Sequence, residues 1–574
     1  MRRSAPPTAT GRDKPEPQPY HALNENREAV VRQGIWGFDR RRRAAALACV
    51  FALVLTAAVV AATAVPVEAR TLRWARSIDA TSLDPHAANT GPNLLLEHQI
   101  YEPLIVRQFD GKMLPALAVS WGLTRDPTVW EFKLRPNVAF HDGAAFDAAD
   151  VLFSLERARS QKSDMRSLLS SVESIVQVDD LTIRIKTAGP DPLLPNNLTD
   201  IFIMDRGWAE ANRAAEVQTA PGAPGSVATT AANGTGPYTL VSRDPGVKTV
   251  MRRNERYWGR NEFPLEISEI VYLPIADNGA RIAALVTGEV DFVQDVPVQD
   301  VERLRDNRAI RLTTSPENRS IFLGMNVGSR ELRSSSLQGK NPFADRRVRE
   351  ALSLAVDRPR LQRSVMRGQS VPAGVIVPPF SNGYTQELDR WPPTDPAKAR
   401  LLLREAGYGT GFDIALHCTN DRYVNDEGLC HAIAEMLGAV GVRVRPMTQP
   451  AAQQFGQVRQ AELDFYLLGW GVTTFDSEYI FSLLYHTNTG ALGGWNGTRF
   501  SDPAVDSQIR GLRQEVDQTR RNAAIAALWR KLKAETIYIP LHNQTITYAM
   551  QRDVDIPIDV SSQPKMKFIA FRKM

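Results

Sequence analysis

An apolar run that ends in a glycine–tryptophan–glycine sequence is the stretch best suited to touch a ligand. Leu463–Leu468 is rich in leucine and aromatic side chains, and Gly469, Trp470 and Gly471 follow it directly. A short apolar run closed by glycine is typical of a buried strand that ends in a turn. In open α/β sheets ligands lie beyond the carboxyl ends of strands. We therefore expect Trp470 to contact a ligand; a core tryptophan in a tight loop is the alternative.

No motif typical of a catalytic or metal site occurs in the chain. The sequence contains neither GxSxG nor HExxH, and its Asp and Glu residues show no distinguishing spacing. The phosphate-binding pattern GxxxxGK[ST] is missing as well. His141-Asp142 has no second ligand at metal spacing, so a structural turn is favoured there. We expect a protein that is not an enzyme and has no cofactor and no metal site.

The composition is that of a soluble globular protein with more than one domain. The chain has 574 residues, which predicts two or three domains. It is 43% hydrophobic and 23% charged, with a net charge of +5, and Arg40–Arg43 contribute four of the positive charges. There is no long basic stripe with interleaved aromatic residues. A nucleic-acid partner is therefore not expected.

The N-terminus carries the pattern of an export signal. Residues 1–39 are polar and rich in Pro, Gly and charge, which predicts a disordered leader. Residues 40–69 combine four arginines, an apolar run and a small-residue exit, which predicts a signal peptide cleaved after Ala69. The apolar run is nearly long enough to cross a bilayer, so an inner-membrane anchor over residues 44–64 is the alternative. In both cases the remainder of the chain is expected in the periplasm.

Helical and strand patterns alternate along the rest of the chain. Residues 397–406 have apolar residues at helical spacing, end at Gly407 and precede a strand pattern over 412–417. Residues 427–440 repeat this sequence of helix, glycine and strand. Such repeated alternation predicts an α/β domain.

The C-terminal part of the chain is expected to hold a helix and two short strands. Residues 519–534 have the apolar spacing of an amphipathic helix. Ile537–Leu541 and Thr545–Met550 are strand-like, with polar residues between them.

Ten or more short phrases occur in one order along residues 70–574, and together they carry a family resemblance. They include SLDP, YEPL, WEFKLRP, FHDG, GTGPY, NERYWG, GEVDF, FLGMNV, GWG and IYIPLHNQ. In this order they resemble the extracytoplasmic solute-binding proteins of peptide-type ABC transporters. That family includes dipeptide-, oligopeptide-, nickel- and glutathione-binding members.

The resemblance implies a two-lobed α/β fold of the periplasmic binding-protein type, with an extra subdomain in the first lobe. Lobe I would comprise residues 70–320 plus 540–574, and lobe II residues 321–539. The chain would cross between the lobes near 321–327 and 537–541. Two crossing strands form a hinge, so that a ligand in the cleft closes the lobes like a clamp.

The resemblance also implies the partners. The protein would act as a monomer that captures a small solute and delivers it to the permease subunits of an ABC importer. The ATPase would be a separate subunit, since the phosphate-binding motif is missing here.

The segment from Trp470 to Asp476 departs from the pattern of peptide-binding relatives. In them an Asp a few residues after the Gly-Trp pair holds the amino group of the peptide, and Thr473 stands at that place here. A neutral hydroxyl stabilises a buried ammonium group less well than a carboxylate does. Asp476 is the expected substitute, although capping the helix that follows is the alternative. Gly471 and Val472 complete this part of the candidate site.

Arg422 and Tyr423 follow the strand over 412–417, at the place where some dipeptide-binding relatives hold a ligand carboxylate. A guanidinium group binds a carboxylate through two parallel hydrogen bonds. A surface ion pair of Arg422 with Asp421 or Asp426 is the alternative.

Further contacts are expected from loops of both lobes. They are Asn89, Thr90 and Gly91 in lobe I, and Asn382, Tyr384, Trp495 and Asn496 in lobe II.

Three cysteines are too few for a disulfide-dense scaffold or a four-cysteine zinc site. Cys49 lies in the export signal, whereas Cys418 and Cys430 flank the loop that holds Arg422. An oxidising compartment would allow these two to form a bridge that stiffens the loop. Two buried thiols are the alternative.

The function favoured by this sequence is a receptor for peptides or peptide-like solutes. A receptor for a non-peptide solute, such as an opine, a glycoside or a chelated metal, is the first alternative. An exported hydrolase is the second.

Overall fold

The computed structural model describes residues 70–218, 227–490 and 492–572. These residues belong to one compact unit that spans Glu68–Met574. The predicted disordered leader (1–39) and the predicted signal peptide or membrane anchor (40–69) lie outside the described residues. Among the helices that are described, none is long and apolar enough to cross a membrane.

Nineteen strands occur in the described residues. They are β1 (Arg70–Arg76), β2 (Ile105–Arg107), β3 (Met113–Pro115), β4 (Ala118–Leu123), β5 (Val129–Leu134), β6 (Val172–Asp179), β7 (Thr182–Thr187), β8 (Tyr238–Asp244), β9 (Lys248–Arg253), β10 (Ile267–Pro274), β11 (Phe292–Val293), β12 (Ile310–Met325), β13 (Ser370–Pro372), β14 (Phe412–Thr419), β15 (Val442–Gln449), β16 (Phe465–Gly471), β17 (Tyr538–Gln551), β18 (Val554–Asp555) and β19 (Ala570–Phe571).

The α-helices of the same residues are α1 (Gly91–Ile100), α2 (Ala148–Ala158), α3 (Leu194–Asn197), α4 (Arg206–Ala211), α5 (Asn278–Thr287), α6 (Val301–Arg305), α7 (Arg346–Ala355), α8 (Arg358–Arg360), α9 (Pro396–Glu405), α10 (Asp426–Gly438), α11 (Ala451–Arg459), α12 (Ser477–Ile480), α13 (Pro503–Leu512) and α14 (Gln518–Glu535). Short 3-10 helices include Leu198–Asp200 and Met566–Phe568, and single π-helical turns occupy Leu361–Val365 and Phe481–Tyr485.

One large mixed sheet runs through the described residues. Its order is β15-β14-β16-β12-β17-β11-β1-β10-β9-β8, and β13 pairs with β17 off this path. Parallel pairs lie on both flanks, since β14 pairs in parallel with β15 and β1 with β10. A separate four-stranded sheet, β4-β5-β7-β6, contains residues of the N-terminal part of the chain.

The two longest strands stand next to each other in the middle of the large sheet. β12 and β17 pair antiparallel from Ile310–Gln551 to Gly324–Tyr538. Register shifts interrupt the pairing between Pro316 and Ser320 and again between Ile321 and Phe322. Strands on one side come from residues before β12, and strands on the other side from residues after it. The predicted hinge segments fall on these two strands, and the lobe boundaries stay a prediction.

The prediction of two separate C-terminal strands is wrong. His542, Asn543 and Gln544 looked like a polar break, yet they lie inside β17. All three pair with β13, His542 and Asn543 pair with β12 on the other side as well, and the side chains of these two are buried. Because the backbone of this segment pairs with neighbouring strands, the polar side chains do not end the strand.

Local sequence accounts for many helix ends. The Asp147 side chain caps α2 by accepting hydrogen bonds from the backbone N–H groups of Ala149 and Asp150. Gly288 ends α5 with a φ of 79°, a left-handed conformation that glycine adopts without steric cost. The apolar side chains packed beneath the helices form separate cores on the two flanks of the β12–β17 pair.

Candidate functional site

A cavity of about 280 Å³ opens beside the β12–β17 pair. Residues from both flanks of the large sheet line it. Asn89, Gly91 and Arg107 come from the N-terminal flank, together with the C-terminal residues Gln563 and Lys565. The other flank contributes β16 with the loop that follows it, and the loop between β14 and α10. Long-range folding, rather than one contiguous motif, therefore assembles this site.

β16 carries the aromatic wall of the cavity. The strand does not break at Gly469, as the sequence suggested, but continues through Gly471, because Gly469, Trp470 and Gly471 pair with Ile321, Ser320 and Arg319 of β12. The Trp470 ring lies 5.3 Å from the ring of Trp495, edge to face, and 5.7 Å from that of Tyr479. Trp470 is 8% exposed. It is thus both a cavity-lining residue and part of a core, and its contact with a ligand stays a prediction.

Gly469 allows a close approach between β16 and Tyr423. A Cβ atom on Gly469 would lie 2.5 Å from a carbon of the Tyr423 ring, too close for any real side chain. The Tyr423 hydroxyl donates a hydrogen bond of 3.1 Å to the Gly469 carbonyl. Tyr423 lines the cavity as expected, and the glycine is what allows its ring to lie there.

Arg422 opens onto the cavity from the loop after β14. Neither expected surface ion pair forms: Asp421 accepts a hydrogen bond from Ala451 N–H, and Asp426 accepts from Thr419 Oγ1 and nearby backbone N–H groups. Among the described residues no carboxylate pairs with the Arg422 guanidinium. The neighbouring Arg319 guanidinium lowers the pKa of Arg422. Within the described residues, Arg422 is therefore a cavity-lining cation that has no carboxylate partner.

Arg319 differs from Arg422 because it has its own counter-ion. Its Nε donates to a Glu317 carboxylate oxygen at 3.1 Å, and Gln544 donates to the other oxygen at 2.6 Å. Both residues line the cavity. Each oxygen of Glu317 thus accepts a hydrogen bond from a protein donor, and the carboxylate pairs with Arg319 rather than with Arg422.

Asp476 does not line the cavity. It caps α12 by accepting a hydrogen bond from Glu478 N–H, and its two oxygens each lie 2.6 Å from the guanidinium of Arg521. Asn382 donates to it as well, at 3.0 Å. The carboxylate is buried and fully paired. Its position fits the alternative interpretation, a helix cap, and does not fit the role of an Asp that binds a ligand amine.

Thr473 lines the cavity with Gly471 and Val472. Its side chain shares a hydrogen bond with the hydroxyl of Tyr479. Burial raises the pKa of that hydroxyl. The position where peptide-binding relatives carry an Asp is therefore neutral in this structure.

The expected loop contacts divide into two groups. Asn89, Gly91 and Trp495 line the cavity. Thr90, directly before α1, does not. Asn382, Tyr384 and Asn496 hydrogen-bond to protein groups outside the cavity lining: Asn382 to Asp476, Tyr384 to Asp389, and Asn496 to the carbonyls of His486 and Phe500. The polar character of a loop residue therefore did not predict whether it lines the cavity.

Several cavity residues carried no recognisable signal in the sequence. Arg107, at the end of β2, donates hydrogen bonds to the carbonyls of Gly111 and Thr474, and its guanidinium lies 4.3 Å from the centre of the Phe475 ring. Burial lowers the pKa of Arg107 to about 10. His98, Asp200, Gln563 and Lys565 also line the cavity.

Cys418 and Cys430 form a disulfide that closes the loop holding Arg422 and Tyr423. The bridge ties the end of β14 to α10. His141 and Asp142 lie in a turn in which His141 Nε2 bonds to the Gly236 carbonyl. Within the described ranges no group of three or more His, Cys, Asp or Glu side chains could hold a metal ion.

Comparison with known proteins decides the family. The model for "Bacterial extracellular solute-binding proteins, family 5 Middle" matches residues 112–491. The chain belongs to family 5 of the bacterial extracellular solute-binding proteins. The glutathione-binding protein GsiB of Pectobacterium atrosepticum is 28% identical to this family 5 chain over 477 residues, which cover 82% of the chain and 88% of the relative. GsiB of Escherichia coli is 26% identical over 482 residues, covering 83% and 89%.

Solved structures show the same fold. The dipeptide-binding protein of Pseudoalteromonas sp. SM9913 with Met-Leu has a TM-score of 0.73 at 22% identity, covering 88% of this chain and all of the other. The binding protein AgaA of A. tumefaciens R10 with agropinic acid has a TM-score of 0.71 at 23% identity, covering 88% and 99%. The predictions of a periplasmic binding-protein fold and of a solute-binding receptor of an ABC importer are confirmed. The family 5 protein acts outside the cytoplasm.

Proposed function

We propose that this family 5 protein captures small peptide-like solutes in the cavity between β16 and the N-terminal flank, with a ligand carboxylate bound to Arg422. The observation that carries the proposal is the Arg422 guanidinium, which opens onto the cavity with no carboxylate partner among the described residues. A guanidinium fork binds a carboxylate through charge-assisted hydrogen bonds. Arg319 adds to the local positive potential, while its own charge is covered by Glu317.

The aromatic wall supports the same ligand class. Trp470, Tyr479 and Trp495 offer apolar faces beside the charged groups, and small-ligand sites typically combine such faces with a few placed polar groups. Relatives named for glutathione match over most of the chain, and glutathione is itself a small peptide with carboxylates. Glutathione is therefore the first probe to test.

The protein then works as a monomeric carrier without catalysis of its own. Ligand draws together the proposed lobes 70–320 plus 540–574 and 321–539 about β12 and β17, and the permease subunits accept the closed form. ATP hydrolysis takes place on a separate subunit. The periplasm is the expected compartment.

Calorimetric titration of the exported protein, stripped of co-purifying ligand, tests this proposal. We expect glutathione or the dipeptide Met-Leu to bind, and Arg422→Met to weaken that binding by about 10- to 100-fold, the worth of a charge-assisted bond. Arg360→Met is the matched control, because Arg360 is exposed on the same flank and pairs with Glu435 outside the cavity. Unchanged affinity in Arg422→Met, or no binding by any small peptide, would count against the proposal.

A further inference from the structure

Asp200 is a carboxylate that faces the cavity without a direct partner. It ends the short 3-10 helix Leu198–Asp200, and its side chain is 15% exposed. Among the described residues, the side chain that comes within ion-pair distance of it is His98, whose Nε2 lies 3.7 Å away, too far for a hydrogen bond. No described residue donates a hydrogen bond to its carboxylate.

His98 does not neutralise Asp200. Burial, with the nearby Lys565, lowers the pKa of His98 well below its ordinary value, so the imidazole is neutral at physiological pH. Its Nε2 atom lies 2.9 Å from the Gln563 amide oxygen and bonds there. The contact between His98 and Asp200 is therefore not an ion pair.

The other cations near Asp200 are engaged elsewhere. Lys565 lies 2.5 Å from Asp559, and Arg107 donates to the Gly111 and Thr474 carbonyls. Burial raises the pKa of Asp200, and the Arg107 and Lys565 charges act in the opposite direction without touching it. The charge of Asp200 is thus offset only at a distance.

The remaining carboxylates around the site are used by the protein. Glu317 accepts from Arg319 and Gln544, and Asp476 is paired with Arg521 away from the cavity. Within the part of the chain that the structure describes, Asp200 is the cavity-lining carboxylate left open to a ligand cation.

Asp200 lines the same cavity as Thr473 and Tyr479 of the loop after β16. Burial raises the pKa of Tyr479, and the Asp200 charge acts in the same direction. The carboxylate thus belongs, from the N-terminal flank, to the cavity in which Thr473 offers no charge. Arg422 enters from the opposite flank, in the loop after β14.

We propose that Asp200 binds the ammonium group of the ligand, from the flank opposite to Arg422. This assignment rests on the proposed function, since it requires a solute in this cavity with a carboxylate on Arg422. The ligand would then be a zwitterion with a free amine, held between an anion and a cation that belong to different flanks. A desolvated ammonium–carboxylate pair contributes both affinity and orientation. Blocking the amine would remove the pair and leave Asp200 buried without a counter-ion.

The test compares each free-amine probe with its N-acetylated form, on the stripped exported protein at one pH and ionic strength. The probes are glutathione and Met-Leu, with N-acetylglutathione and N-acetyl-Met-Leu. We expect wild type to prefer the free amine by at least 10-fold. Asp200→Asn should weaken the free-amine probe by about 10- to 100-fold, change the acetylated probe by less than 3-fold, and so remove the preference. Asp244→Asn, an exposed carboxylate on β8 outside the cavity, should preserve it.

Two results would overturn the assignment: equal affinity of wild type for free and acetylated probes, or an equal loss for both in Asp200→Asn. The wild-type comparison needs no variant, so the assignment stays testable even if Asp200→Asn folds poorly. Failure of every probe to bind would instead overturn the proposed function on which the assignment rests.

Discussion

Glu97 is a buried carboxyl group on α1, the helix that begins at the edge of the cavity. Neither of its oxygens has a hydrogen-bond partner among the described residues. Burial, reinforced by the charges of Asp84 and Asp200, raises the pKa of Glu97 well above its ordinary value. The folded protein therefore keeps a proton on this carboxyl to a higher pH than the unfolded chain does.

Glu97→Gln should make the protein increasingly more stable than wild type as pH rises. The stability that the bound proton provides is full below the unfolded pKa, about 4.3, and declines as pH rises toward the raised folded pKa. The Gln variant has no proton to lose at this position. The difference in unfolding free energy, variant minus wild type, should therefore grow by up to about 1.4 kcal/mol for each unit of pH increase. Urea unfolding between pH 5 and 8 measures this, with the exposed Glu302→Gln as control. Parallel curves for wild type and Glu97→Gln would refute the account.

Individual site residues differ in how far the sequence predicts them. Trp470 and Arg422 could be predicted, because each follows a recognisable strand and the surrounding phrases resemble a known family. Arg107 and Asp200 could not, because each lies in an unremarkable local sequence and reaches the cavity only through long-range folding. Asp476 was misplaced because an unpaired carboxylate and one that binds Arg521 look the same in the sequence.

The loop after β16 is held by α14. Arg521 of α14 makes a bidentate ion pair with Asp476, and the two side chains are only 2% and 4% exposed. Phe475, directly before, has a φ of 55°, which a residue other than glycine adopts at a cost of about 1–3 kcal/mol. The buried pair, together with the stacking of Arg107 on Phe475, holds this conformation against its strain.

Arg521→Met should therefore lower the unfolding free energy by about 3–5 kcal/mol, since it leaves Asp476 buried without its counter-ion. Its neighbour Arg520 is exposed and pairs with Glu515 at the surface, so Arg520→Met should cost no more than about 1 kcal/mol. Denaturant titration of both variants provides the comparison. Equal effects of the two substitutions would mean that the buried pair does not support the loop.

Strands could be predicted where apolar residues alternate or cluster. They were harder to predict where backbone pairing with neighbouring strands, rather than the local sequence, keeps the segment extended. β14 and β16 were recognised from apolar runs. β17 was divided in two because His542–Gln544 is polar, and nothing local reveals that β12 and β13 pair with it on both sides.

At the scale of the whole molecule, the disulfide links the site to the compartment in which the protein works. A bridge closing a loop of this size stabilises a protein by about 3 kcal/mol and persists only where the surroundings are oxidising. We expect peptide mapping of the unreduced, exported protein to find Cys418 and Cys430 joined. A Cys418→Ser/Cys430→Ser double variant should lose about 2–4 kcal/mol of unfolding free energy. Free thiols at both positions in the exported protein would show that the bridge does not form in the cell.

The pairing of β17 has a consequence for how the protein is made. β11, which pairs in parallel with β1, gains its other neighbour only from β17, and Gln563 and Lys565 complete the cavity from beyond that strand. A nascent chain that has emerged as far as residue 320 thus holds an unfinished sheet and half a binding site. The cavity is complete only when β17, Gln563 and Lys565 have been synthesised.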